Sequence, residues 1–148
     1  MHKLALVALL ASLTGCSTGP KSASYGSFAE VSPAVDKKLV DDAVTKLVGL
    51  YPPAVTRFNL QHAAADPFGT SLVATMRTRG YALQEQNAAP KPGPEGKSGI
   101  RAFSYVVDQQ AGTDLYRVTL TIDNQSLSRA YLAKDGSVGP AGYWVRKE

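Results

Sequence analysis

From Leu115 to Asp123 the chain alternates without a break: Tyr116, Val118, Leu120 and Ile122 fall on one side, and Arg117, Thr119 and Thr121 on the other. A period of two marks a half-buried strand with one face on a core and one on water, the usual habit of antiparallel sheets. Such a strand needs partners for its backbone and a layer over its apolar face. The partners are read on either side, at Ile100 to Asp108, Ser126 to Ala133 and Gly142 to Lys147. Ala-Gly-Thr-Asp and Asp-Asn-Gln supply the turns around the alternating strand, and Asp135-Gly136 is a hairpin signal.

The covering layer is encoded upstream. Ser32 and Pro33 form an N-cap followed by a proline at the first helical position. Val35, Leu39, Ala43, Leu47 and Leu50 then recur at helical spacing. The periodicity predicts an amphipathic helix of about 17 residues, stopped by Gly49 and the Pro52-Pro53 pair. Asp42 and Lys46 stand in the favourable i, i+4 order on its polar side. Ala54 to Gln61 reads as a strand with Thr56, Phe58 and Leu60 on one face. Asp66-Pro67 repeats the cap-and-proline signal ahead of a second apolar stripe, Phe68, Leu72, Val73 and Met76. Arg77 and Arg79 suit the negative end of that helix, Gly80 ends it, and Tyr81 to Glu85 leads into a short strand. The fold class is therefore α+β: two helices packed on a mainly antiparallel sheet in two layers, one domain over residues 33–148. Its one long interruption, at about residues 86–99, carries three prolines and three glycines in fourteen positions and is expected to be a disordered loop.

The amino-terminal end has a different character. Lys3, an apolar run from Leu4 to Leu13, and then Thr14, Gly15 and Cys16 compose a secretory signal with a cysteine where the mature chain would begin. The run is too short to span a bilayer, which takes about 20 residues. Leu13-Thr14-Gly15-Cys16 resembles the bacterial lipobox, which implies cleavage after Gly15 and lipid on Cys16, the sole cysteine. Residues 1–15 are then a lipoprotein signal peptide and residues 16–32, rich in Ser and Gly, a lipidated flexible tether. Tyr25, Phe28 and Val31 interrupt that tether, either to dock on another subunit or to touch the chain's own domain. Three acyl chains, as lipobox processing implies, exceed the two hydrophobic signals that give stable anchoring. Ser17 stands where an aspartate would resemble an inner-membrane retention signal, so the expected address is the outer membrane, facing the periplasm.

Motifs for chemistry are missing from the sequence. His62 is the one histidine outside the signal, and three or four convergent ligands are the minimum for a metal site. The sequence holds no nucleophile elbow, phosphate-cradling loop or paired-histidine helix. With the leader's lysine gone, 15 basic side chains face 12 acidic ones without a like-charged block, which gives no nucleic-acid footprint. No catalytic, cofactor-binding or metal-binding residue is assigned, no cofactor beyond the lipid on Cys16, and no small-molecule substrate. Asp41 and Asp42 read as solvent-facing acids. Tyr51, Pro52, Pro53 and Trp144 are the candidate partner surface, since aromatic residues concentrate at binding hot spots.

Five segments in order carry a family resemblance: Leu50-Tyr51-Pro52-Pro53-Ala54, Asp66-Pro67-Phe68-Gly69, Arg79-Gly80-Tyr81-Ala82-Leu83, Tyr116-Arg117-Val118-Thr119-Leu120 and Ser128-Arg129-Ala130-Tyr131. Together with the lipobox they make the chain resemble the TrbH family of conjugal transfer proteins. The resemblance implies a lipoprotein of the plasmid-encoded mating-pair-formation apparatus, a type IV secretion system, with other channel proteins as partners. It brings no catalytic residues. The alternative from the same residues is a free-standing periplasmic lipoprotein that binds a ligand or a cell-wall component.

Overall fold

Three long strands form the spine of the domain: β4 (Ile100–Gln109), β5 (Leu115–Ile122) and β6 (Gln125–Lys134). They pair antiparallel in sequence order, Tyr105 opposite Leu120 and Leu120 opposite Leu127. The computed structural model describes residues 24–85 and 99–148. Around the spine, in chain order, lie β1 (Gly26–Ser27), α1 (Pro33–Leu50), β2 (Arg57–Leu60), α2 (Pro67–Thr78) and β3 (Ala82–Gln84), and after it β7 (Ser137–Pro140) and β8 (Val145–Lys147). The sheet runs β3-β2-β4-β5-β6-β7, with β1 on β4 and β8 on β6. Four of its seven pairings are antiparallel, and those of β1 with β4, β2 with β3 and β2 with β4 are parallel. The parallel pairing of β2 with β3 follows from α2, which crosses over between them as parallel neighbours require.

The expected α+β two-layer fold is what the chain forms. Tyr116, Val118, Leu120 and Ile122 are buried, and they meet Leu39, Ala43 and Leu47 of α1 and Phe68, Leu72 and Met76 of α2 in one core. Both caps are made: the Ser32 hydroxyl accepts from Val35 N–H at 3.4 Å and the Asp66 carboxylate from Gly69 N–H at 2.8 Å. Thr56, Phe58 and Leu60 are all buried, as the alternation of that segment requires.

Several details differ from the sequence reading. Gly49 does not stop α1; the helix runs through it to Leu50, and the Tyr51 N–H closes the last turn onto Leu47 O at 2.7 Å. Leu50 is consequently 38 % exposed, off the core stripe. Ser-Val-Gly-Pro has no strand alternation of its own, yet it forms β7. Asp135 (φ 50°) and Gly136 (φ 73°) make the tight turn that lays it back on β6. Gly26–Ser27, within the stretch read as tether, forms β1, and Phe28 N–H donates to Val107 O at 2.7 Å. The signal peptide, Cys16 and residues 86–98 of the expected loop lie outside the described residues.

The two flanks of the spine are built alike. Leu60 and its neighbours pair with the first half of β4 and β1 with the second, while β7 and β8 share the outer edge of β6 in the same divided way. One row of partners crosses the whole sheet, from Gly26 through Val106, Thr119 and Ser128 to Val145.

Candidate functional site

Asp42 sits on the flank of α1 nearest β6, where two side chains close on it. One guanidinium nitrogen of Arg129 lies 3.1 and 2.9 Å from its two carboxylate oxygens, and the Tyr131 hydroxyl donates to Oδ2 at 2.6 Å. Arg129 Nε also donates to Gly142 O at 2.8 Å, which ties the segment before β8 to the same knot. Burial, and then the carboxylate it donates to, hold the Tyr131 phenol well above its ordinary ionisation range, so it remains a donor. The side chains of Arg129 and Asp42 are only 18 % and 32 % exposed, so this pair is better shielded from water than a surface bridge. It corrects the reading of Asp42 as a solvent-facing partner of Lys46. The i, i+4 bridge of α1 is Lys37 to Asp41, at 2.5 Å.

Beside the knot a groove of about 300 Å³ opens between the carboxyl-terminal half of α1 and the sheet edge, lined by Lys46, Gly49, Leu50, Arg129 and Trp144 among others. Trp144 is half-buried against the core, and next to it Tyr143 is 92 % exposed. Of the four residues expected to face a partner, Trp144 alone lines this groove. Tyr51 is a core residue with 9 % of its surface exposed. Its hydroxyl lies 3.1 Å from Gln125 Oε1, its carbonyl accepts from Tyr81 at 2.6 Å, and the Arg101 guanidinium sits 5.2 Å from its ring centre. Pro52 beside it is exposed and Pro53 half-buried. Burial pushes the Tyr81 phenol up to about 12.

A second polar cluster joins β1 to the body. Tyr105 donates its hydroxyl to Asp66 Oδ2 at 2.6 Å, and its backbone N–H donates to His62 Nε2 at 3.3 Å. The other ring nitrogen of His62 lies 3.2 Å from Ala63 O, so the neutral ring satisfies both contacts, one by donating and one by accepting. Tyr25 stacks on the same ring, centroids 5.4 Å apart and planes 12° from parallel. Desolvation is the main cause that lowers the His62 pKa, against the raising effects of Ala63 O and Asp66. The sequence showed His62 as solitary; its partners come from β4 and from the segment read as tether, which no local spacing reveals. Among the described residues no three His, Cys, Asp or Glu side chains converge as metal ligands. No helix among them is long and apolar enough to cross a membrane.

The family described as conjugal transfer protein TrbH matches residues 18–148. The chain belongs to the TrbH family. No curated protein and no solved structure matches it. The match bears out the resemblance seen in the five segments, and the structure gives those segments of this TrbH protein definite work. Asp66-Pro67-Phe68-Gly69 caps α2 and seats Tyr105. Tyr116 to Leu120 is the central strand, and Ser128 to Tyr131 carries both side chains that hold Asp42. As a TrbH protein the chain takes part in conjugal transfer.

Proposed function

We propose that this TrbH protein is a lipid-anchored, non-enzymatic assembly component of a conjugative type IV secretion apparatus, fixed by acylated Cys16 to the outer membrane and facing the periplasm. One observation carries the reading. The family match begins at residue 18, two past Cys16, so the TrbH unit lies entirely on the carboxyl side of the lipobox. The residues before Cys16 have the composition of a removable leader, and the chain beyond it folds into a domain with two helices on one sheet. Membrane attachment then comes from the lipid, in line with the lack of a spanning helix among the described residues. Partners are other proteins of the channel, with no role for nucleic acid.

The test is metabolic labelling with a radioactive fatty acid in cells carrying the transfer genes, followed by mating. Wild-type chain takes up label and sediments with the outer membrane; Cys16→Ser takes up none and lowers transfer at least ten-fold. Label retained by Cys16→Ser, or normal transfer from a clean deletion strain, overturns the proposal.

A further inference from the structure

The groove beside Asp42 has three properties that the fold itself does not require. Gly49 stands in the last turn of α1, and a Cβ there would meet nothing within 4 Å, so it leaves the groove floor open. Gly142, whose carbonyl Arg129 holds, is equally open, and neither glycine has a positive φ. Open positions without side chains leave room for another backbone to approach closely. Next, β8 pairs only with β6 among the described residues, so its outer row of N–H and C=O groups is unpaired. Finally the charge is one-sided: Asp42 is neutralised by Arg129 and Glu148 lies 3.4 Å from Arg146, while Lys46 and Lys147 form no ion pair among the described residues. Leu50 gives the groove exposed apolar surface, and Tyr143 and Val145 are exposed along the β8 edge.

We propose that the groove and the free edge of β8 receive an extended acidic and aliphatic segment of another protein, added to the sheet as a further strand. Main-chain hydrogen bonds to β8 supply the register, and alternate side chains of the incoming strand supply specificity. Those facing α1 lie over Gly49, against Leu50 and Trp144, with carboxylates reaching Lys46. A bilayer surface, which also suits basic and aromatic residues, offers no strand hydrogen bonds. This reading deepens the assembly role above and rests on it for the source of the partner.

Trp144 is the only tryptophan in the chain, so its emission reports on the groove directly. The full chain is titrated with an eight-residue peptide of alternating glutamate and valine, with its lysine–valine counterpart, and with vesicles of phosphatidylethanolamine and phosphatidylglycerol. The glutamate peptide gives a saturable change in emission. Lys46→Glu weakens it at least ten-fold, and Gly49→Leu abolishes it while leaving the circular dichroism and thermal midpoint unchanged. Should Gly49→Leu disturb the fold, Tyr143→Ser, at a fully solvated position, serves instead and weakens binding at least three-fold. Equal binding of the lysine peptide, a response to vesicles that Lys46→Glu removes, or indifference to both substitutions overturns the inference. A chain that binds the peptide although its deletion leaves mating normal refutes the assembly role and not the groove.

Discussion

The Tyr105 ring fills the space that a side chain on Gly69 would need. A Cβ at position 69 would lie 2.8 Å from the ring carbon that bears the hydroxyl and 3.0 Å from Ala64 Cα, with the hydroxyl oxygen closer still. The tyrosine is held there by its bond to Asp66, the residue that caps the same helix.

Gly69→Ala is therefore expected to destabilise the domain by about 1–3 kcal/mol, the usual cost of overpacking a filled core. The reverse of the normal glycine-to-alanine effect in a helix is the diagnostic. Urea unfolding of the two proteins checks it, and a variant as stable as wild type contradicts the packing described.

Arg129→Met leaves Asp42 half-buried with only the Tyr131 hydroxyl, and is expected to cost about 1–3 kcal/mol. Arg129→Met combined with Asp42→Leu removes both charges and recovers part of that loss, because the orphaned carboxylate is gone. A double-mutant cycle by thermal unfolding measures the coupling, which is near zero only if the two side chains do not touch in solution.

His62 is neutral in the fold because its Nε2 accepts a bond from Tyr105, and desolvation, the largest cause, lowers its pKa below the ordinary 6.5. Its contribution is thus present above pH 6.5 and is lost as the pH falls through the lowered folded-state value. Asp66, Tyr105 and Tyr25 face the ring from the other elements around it. The protection of the Phe28 and Tyr105 amides, expressed relative to their intrinsic exchange rates at each pH, is expected to fall on acidification in wild type. In His62→Gln, which keeps an acceptor without titrating, the same acidification produces a smaller change.

Asp36 behaves in the opposite sense. It lies in the first turn of α1 with 4 % of its surface exposed, and its Oδ1 has no hydrogen-bond partner among the described residues. Desolvation raises its pKa above 3.8, helped by Asp66 and opposed by a hydrogen bond from Ser71. A raised carboxylate stabilises the fold fully below pH 3.8 and progressively less as pH climbs through the folded value. Asp36→Asn is accordingly expected to stabilise the domain at pH 7, by of order 1 kcal/mol, and to lose that advantage below pH 4. Thermal midpoints at the two pH values decide it.

Local chemistry was readable and distant pairing was not. Ser32-Pro33 and Asp66-Pro67 announced both helices because a cap and a proline act over three residues. The alternation from Tyr116 to Ile122 announced the central strand because burial imposes a strict period of two. Asp42 was assigned the neighbour that helical spacing offers, Lys46, whereas its true partners stand 87 and 89 residues away on β6. β7 escaped because its strand conformation comes from the turn before it and from the neighbour it lies on. Tyr51 read as an interface aromatic next to two prolines, and only the tertiary fold shows it closing the core over Phe58, with ring centres 6.2 Å apart.

The seat of β1 has a mechanical meaning. Any pull applied upstream of Ser24 enters the domain along β1, loading its few bonds to β4 in parallel with the Tyr25–His62 stack before Pro33 and α1 feel it. Those bonds are few and α1 is embedded in the core, so the strand yields first and releases the residues between Ser24 and Pro33, about 30 Å of extended chain. Single-molecule stretching between the two termini would show an early step of about that length, absent in Tyr25→Gly with Gly26→Pro. Such a strand is a fuse: tension applied ahead of it frees a length of chain and leaves the folded body whole.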